Sequence, residues 1–346
     1  MPSEKPNWYD FPEIDWETLF HPTFSYEYFR ELLTFPNSSS TTAEAGTCTP
    51  LTAAWMADAA MLAYGRSSAN EMDLLEFDTI LDRAGLRGHR VGNWSPEAKS
   101  VKAIFAYGPD FAVLAFRGTR KINWVNSIID IAAMPAREGE MLDPHTLTPI
   151  DRESRDEVAT SEQDNNVLVH SGFQFGFNTA WPDIRISLDS YRHSHPTSPV
   201  FFTGHSMGAA FATLAVERFR GGRAALYTFG SPRVGNREFC ERVRERADLG
   251  VFRFVNNDDV MTTLPPREKL FTHTCGLMLI DADGNVAPSA ESEERSQQGI
   301  GQMVHAFEKL VMDYVQKQPP PPQLTNHAQR RYCYYLWRWA RNGQVP

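Results

Sequence analysis

The sequence predicts an α/β fold in which a mainly parallel central sheet carries helices on both faces. Three observations point there. From residue 168 onward short apolar runs alternate with helical patterns, the order that builds parallel strands joined by crossover helices. The run Phe111–Phe116 is apolar throughout, as a strand covered on both faces must be. A third apolar run, Pro199–Thr203, passes through a glycine-bounded turn straight into a helical segment, Met207–Arg220.

The composition suits such a fold. Of 346 residues, 42% are hydrophobic and 22% charged, ordinary for a globular chain able to bury a large core without disulfides or metals. One domain spanning 1–346 is expected, with an N-terminal extension over about 1–48 and a lid-like excursion over about 122–166. The net charge of −9 excludes the electrostatic footprint of a nucleic-acid binder. It also disfavours docking on anionic membranes, while leaving a neutral lipid–water interface open. The four cysteines, Cys48, Cys240, Cys275 and Cys333, have no metal-type spacing and read as reduced thiols. The chain opens on Met1-Pro2-Ser3-Glu4-Lys5-Pro6-Asn7-Trp8, which lacks the pattern of a secretory signal, so a cytoplasmic location is the default expectation. No apolar stretch is long enough for a transmembrane helix. On the same reading the glycosylation patterns at Asn37 and Asn93 are accidental.

Taken in order, Ser38–Thr42 reads as a surface loop. Residues 50–64 read as a helix presenting Leu51, Trp55, Ala59 and Leu62 on one face. Val101–Tyr107 and Phe111–Phe116 are strands separated by the turn Gly108-Pro109-Asp110. Ile122–Met134 has an amphipathic helical pattern. Asp143–Asn166 is polar, with six acids and two arginines between Asp151 and Asp164, and reads as a solvated surface loop, with a mobile lid as the functional alternative for a loop of that length. Ile184–Tyr191 ends a helix, Ala224–Phe229 and Val251–Val255 are strands, and Arg237–Arg246 is a charged helix. Met278–Val286 reads as a hairpin around Asp283-Gly284. Residues 288–299 form a polar loop, and Ile300–Gln316 a helix stopped by Pro319–Pro322. A final helix runs from about Asn326 to Trp339.

The chemistry starts at Gly204-His205-Ser206-Met207-Gly208. As a bare G-x-S-x-G pattern it is weak, since roughly one chain of this length in ten carries it by chance. Its context is what matters: a buried strand precedes it and a helix follows, the strand–turn–helix arrangement of a nucleophile elbow in α/β-hydrolases. Glycines at 204 and 208 remove side chains that would collide with the neighbouring strand and helix. Ser206 also lies at a helix N-terminus, where developing negative charge is favoured. The alternative is a serine that merely caps the helix.

A serine needs a histidine base oriented by a carboxylate, and on this fold the chain order is Ser, acid, His. The acid belongs just past a later strand, and Asn256-Asn257-Asp258-Asp259 follows Val251–Val255. Either aspartate suits, with Asp259 preferred. Three histidines lie beyond it. His273 sits in a strand-like run and His305 within an amphipathic helix. His327 stands at a loop-to-helix junction, the preferred place for the base. His205, inside the elbow, is expected to line the turn.

These residues resemble the class 3 lipase family. The likeness spans roughly residues 50–340 and is most specific over 111–265. It is carried by Ala115-Phe116-Arg117-Gly118-Thr119, Asn123-Trp124-Val125 through Asp130, Val169-His170-Ser171-Gly172-Phe173, Thr203 through Gly208, Tyr227 through Asn236, Val255 through Val260 with Leu264-Pro265-Pro266, and Asn326-His327-Ala328. The resemblance implies an α/β-hydrolase fold and a lipid or ester substrate, with no metal or organic cofactor. It selects Asp259 and His327 as acid and base, beside Ser206 as nucleophile. It also implies an oxyanion hole formed by the backbone N–H of Met207 and by Thr119, and His170 as a brace for the sheet. The implied activity is that of a serine carboxylic-ester hydrolase acting on acylglycerols. Phospholipases A1, galactolipases and soluble esterases share the chemistry, and some relatives are non-catalytic binding proteins. The intact Ser/Asp/His set favours an enzyme. Departures are Ala209, where the family usually has Gly, Met261-Thr262-Thr263 in place of Val-Pro, and a long polar segment over 135–166.

Overall fold

The computed structural model of the chain describes residues 26–33, 47–65, 74–92, 101–118, 135–137, 166–265, 270–289 and 322–342. In chain order these form α1 (Pro50–Leu62), α2 (Leu74–Arg83), β1 (Arg87–Gly92), β2 (Lys102–Tyr107), β3 (Ala112–Phe116), β4 (Pro135–Arg137) and β5 (Leu168–His170). There follow α3 (Ser171–Ser194), β6 (Val200–His205), α4 (Met207–Arg218), β7 (Ala224–Phe229), α5 (Arg237–Arg246) and β8 (Gly250–Asn256). A 3₁₀ turn at Val260–Thr263, β9 (Leu277–Ile280), β10 (Val286–Pro288), α6 (Pro322–Thr325) and α7 (Gln329–Asn342) complete the list.

Among the described residues eight strands make one sheet in the order β1-β2-β3-β6-β7-β8-β9-β10. The steps from β3 through β6, β7 and β8 to β9 are parallel, and the outer pairs are antiparallel. Side chains alternate across it with period two. Phe201, Tyr227, Phe229, Phe252 and Phe254 face a layer built from α1, α2 and α7. Phe202, Leu226, Val200 and Leu114 face α3, α4 and α5. Both faces are therefore covered, as the apolar strands require. Truncating a fully buried ring such as Phe202 to alanine would cost about 3–5 kcal/mol in transfer and cavity terms.

The first helix differs from its sequence reading. Rather than burying one face, α1 is buried from Thr52 through Leu62, while Leu51 is only partly covered. The alanines at 53, 54, 57, 59 and 60 explain this: with so little side chain, α1 nests between α7 and the sheet. Thr49 caps it by accepting from Thr52 N at 3.2 Å, and Pro50 takes the first position, where no N–H is needed.

α3 is longer than its sequence-predicted end suggests and contains Pro182. Its N-cap is His170, whose Nδ1 accepts from Gly172 N at 3.2 Å. The hairpin β9–β10 turns on Asp281, whose Oδ1 accepts from the backbone N–H groups of Asp283 and Asn285. Of the expected excursion, Pro135–Arg137 pairs antiparallel with β5. Residues 122–134 and 138–165, the helix expected over Ile300–Gln316 and the loop over 290–299 lie outside the described residues.

Candidate active site

The parallel strands β6, β7 and β8 end together, with His205 beside Phe229 and Phe229 beside Phe254 in register. The residues just past those ends form the site.

Ser206 turns the chain from β6 into α4 with φ 59° and ψ −130°. A non-glycine residue in such a conformation stores on the order of 1–3 kcal/mol of strain, which surrounding structure must hold in place. Here the backbone holds it. Ser206 N donates to Phe229 O at 2.9 Å, and Ser206 O accepts from Ala209 N at 2.9 Å. The glycines flanking it are required sterically. A Cβ on Gly204 would stand 2.2 Å from Gly208 O, and one on Gly208 would stand 2.3 Å from Phe116 O on β3. The serine side chain makes no capping bond to α4, so the reading of Ser206 as an N-cap is set aside. Met207 is the first residue of α4. Thr119 lies outside the described residues; Gly118, its neighbour, is buried against the elbow, where a Cβ would approach His205 O to 2.7 Å.

Asp259 follows β8 and caps the 3₁₀ turn, its Oδ1 accepting from Met261 N at 3.0 Å. His327 stands between α6 and α7, and its Nδ1 lies 3.0 and 2.9 Å from the two Asp259 oxygens. A carboxylate only accepts, so Nδ1 carries a proton, and the lone pair of the neutral ring then lies on Nε2. Exposure is 4% for Ser206, 1% for Asp259 and 1% for His327, so the pair interacts in a weakly screening medium. Gly230, with φ 56°, makes room for it: a Cβ there would lie 2.6 Å from Asp259 Oδ2 and 2.8 Å from His327 Nδ1.

The other candidates separate clearly. Asp258 is exposed and engaged elsewhere, its Oδ1 accepting from Asn326 Nδ2 at 2.5 Å. Asn326 also accepts from the Arg331 guanidinium at 2.7 Å, and its carbonyl accepts from Asn256 Nδ2 at 2.9 Å, which pins the residue before His327. His273 is engaged through Nε2 with Thr262 O at 2.7 Å. His305 lies outside the described residues. His170 is buried and pushed down to about 4 by desolvation, so it serves as a neutral cap stacked on Phe173. Among the described residues no group of three or more His, Cys, Asp or Glu side chains is arranged to hold a metal ion. No helix among them is long and apolar enough to cross a membrane.

Residues 113–269 match the family model described as Lipase (class 3), a span that holds the elbow, Gly230 and Asp259. Over that span the chain matches the class 3 lipase family. Among its relatives, Lipase A of Sodiomyces alcalophilus is 29% identical over 222 residues, covering 60% of this chain and 50% of that protein. Secreted mono- and diacylglycerol lipase 1 of Fusarium solani is 35% identical over 108 residues, covering 31% of this chain and 32% of that protein. The chain thus spans half or less of these curated relatives. The solved structure of lipase II from Rhizopus niveus superposes with a TM-score of 0.52 at 22% identity, covering 71% of this chain and 87% of that one. The shared architecture is the α/β-hydrolase fold.

Several residues that shape the site carry no local sequence signal. Tyr332 donates from its hydroxyl to Asp259 Oδ2 at 2.6 Å and accepts from Asn256 N at 3.1 Å. Burial, and after it the Asp259 charge, push its phenol well above the usual range, so it stays a donor. The need for glycine at 230 appears only when the Asp259–His327 pair is seen against its backbone.

Proposed function

We propose that this protein is a lipase of the class 3 type that hydrolyses carboxylic esters by two-step acyl transfer through Ser206, with acylglycerols as the substrate class. The observation that carries the reading is the buried Asp259–His327 pair, with its proton confined to Nδ1, set at the same sheet edge as a serine in a strained turn. Those are the parts acyl transfer needs: a nucleophile, a base with its lone pair on Nε2, and a carboxylate that fixes the tautomer.

In the first step His327 Nε2 takes the Ser206 proton while Oγ attacks the ester carbonyl carbon. The carbonyl oxygen becomes an anion, which we assign to the Met207 N–H at the start of α4 and to Thr119. Asp259 stabilises the imidazolium. The tetrahedral centre collapses, the ester C–O bond breaks, and His327 protonates the departing alcohol. Water then enters, gives a proton to His327 and attacks the acyl-enzyme. The fatty acid leaves as Ser206 recovers its proton.

The name of the Fusarium solani relative, a mono- and diacylglycerol lipase, supports acylglycerols as substrates. The test is turnover of p-nitrophenyl esters of graded chain length, followed by emulsions of a triacylglycerol, a phosphatidylcholine and a galactolipid. Preference for long acyl chains, with a rate rise once the substrate exceeds its solubility, is the expected result. Activity confined to the phospholipid or galactolipid would move the substrate class. Failure to hydrolyse any ester would leave a binding scaffold.

A further inference from the structure

The residue before Ser206 grips the backbone of His327. His205 ends β6 with its ring buried 4.5 Å, centroid to centroid, from the ring of His327. Its Nε2 lies 2.6 Å from the His327 carbonyl oxygen. A carbonyl can only accept, so Nε2 bears the proton. The opposite nitrogen, Nδ1, is then an acceptor, and the Tyr64 hydroxyl 2.7 Å away donates to it. Burial, with His327 adding to it, drives the imidazole well below its ordinary range, so His205 stays neutral and keeps this tautomer. Tyr64 reaches the ring through space that Gly118 leaves open, since a Cβ at 118 would stand 2.1 Å from the tyrosine oxygen.

We infer that His205 is a positioning residue for the base, holding His327 by its backbone carbonyl while Tyr64 holds His205. This inference rests on the reading of Ser206 and His327 as nucleophile and base. The physical need is plain. The Asp259 contact fixes one ring nitrogen, but a ring held at a single point can still swing. Gripping the carbonyl fixes the other end of the residue, which sits in a short turn tied by His327 N to Leu324 O at 3.0 Å. With both ends held, the direction of Nε2 is set. Because His205 is bonded directly to Ser206, the grip also fixes the register between nucleophile and base through a single residue. Misplacement of a reacting group by about 1 Å can cost on the order of 100-fold in rate, so the expected effect is large.

The test compares two amides. In His205→Gln the side-chain nitrogen reaches the place of Nε2 and can still donate to the His327 carbonyl, while its oxygen faces Tyr64. In His205→Asn the amide ends near the place of Nδ1 and falls short. For a soluble ester, kcat in the asparagine variant should fall on the order of 100-fold with KM changed less than about twofold, because transition-state alignment is lost and substrate binding is not. The glutamine variant should recover to within about tenfold of the native enzyme. Wild-type kcat in the asparagine variant, or equal losses in both, would overturn the inference. A folding defect in either variant leaves the native protein to decide: its histidine side-chain ¹⁵N spectrum should show His205 neutral with the proton on Nε2 through neutral pH. A proton on Nδ1, or a titration there, would refute it. Failure of the underlying reading would show separately, as absence of fluorophosphonate reaction at Ser206 in the native protein.

Discussion

Tyr332 and Asp259 are 73 residues apart in the chain, yet the tyrosine oxygen lies 2.6 Å from Asp259 Oδ2 and donates to it. With Met261 N–H and His327 Nδ1 this makes three donors on one buried carboxylate. Removing the hydroxyl in Tyr332→Phe leaves the carboxylate one donor short and the Asn256 N–H without its acceptor. The expected outcome is a loss of about 1–3 kcal/mol in stability, from buried groups left unpaired, with kcat lowered about tenfold. Thermal melts and initial rates on a soluble ester check both. A variant with native stability would show that the hydroxyl is replaced by water.

Gly230→Ala is expected to be more damaging than its size suggests. The added methyl would sit 2.6 Å from Asp259 Oδ2 and 2.8 Å from His327 Nδ1, and φ 56° is poorly tolerated with a Cβ. The pair must move, so kcat/KM should fall by 100-fold or more, alongside about 1–2 kcal/mol of stability. A serine-directed probe and a melting curve separate the two effects.

Ser206→Gly should abolish turnover and raise stability. At φ 59° and ψ −130° the native residue carries strain that glycine relieves. The gain expected is about 1 kcal/mol, read as a higher melting temperature. Ser206→Ala should be equally inactive without that gain, since it keeps the Cβ.

Two buried groups give opposite pH dependences. His170 is held at about 4 by burial, below its ordinary 6.5. Between those values the unfolded chain binds more protons, so stability is lost as pH falls through the window. Asp58, buried and hydrogen-bonded by Tyr26, Phe29 N and Trp337, is pushed up to about 6 by burial. There the folded state holds more protons between 3.8 and about 6, so stability is gained as pH falls through that window. Each shift amounts to about 3 kcal/mol when complete. Melting temperatures measured from about pH 7 to about pH 5 should fall less steeply in His170→Asn and more steeply in Asp58→Asn than in the native protein.

The sheet was legible because its central strands are continuous apolar runs, and the elbow because glycine and serine stand where sterics demand them. Ala224–Phe229 and Arg237–Arg246 have the predicted bounds. β1 was not legible: Arg87-Gly88-His89-Arg90-Val91-Gly92 is a half-exposed edge strand, and its polar side chains and glycines hide the pattern. The length of α3 was obscured by Pro182, which removes a helix donor. At the site, chain order narrowed the acid to Asp258 or Asp259 and the base to three histidines, and the resemblance to class 3 lipases selected Asp259 and His327. Tyr332, Tyr64 and Gly230 were not legible, because their roles arise from contacts across the fold that no local spacing encodes.

Fluorophosphonate modification, with the adduct mapped by mass spectrometry, tests the central claim most directly. The native protein should carry a single adduct on Ser206. His327→Ala and Asp259→Asn should slow its formation in step with ester turnover, by about 10³–10⁶-fold. No adduct in folded native protein, an adduct elsewhere, or an undiminished labelling rate in His327→Ala would contradict it.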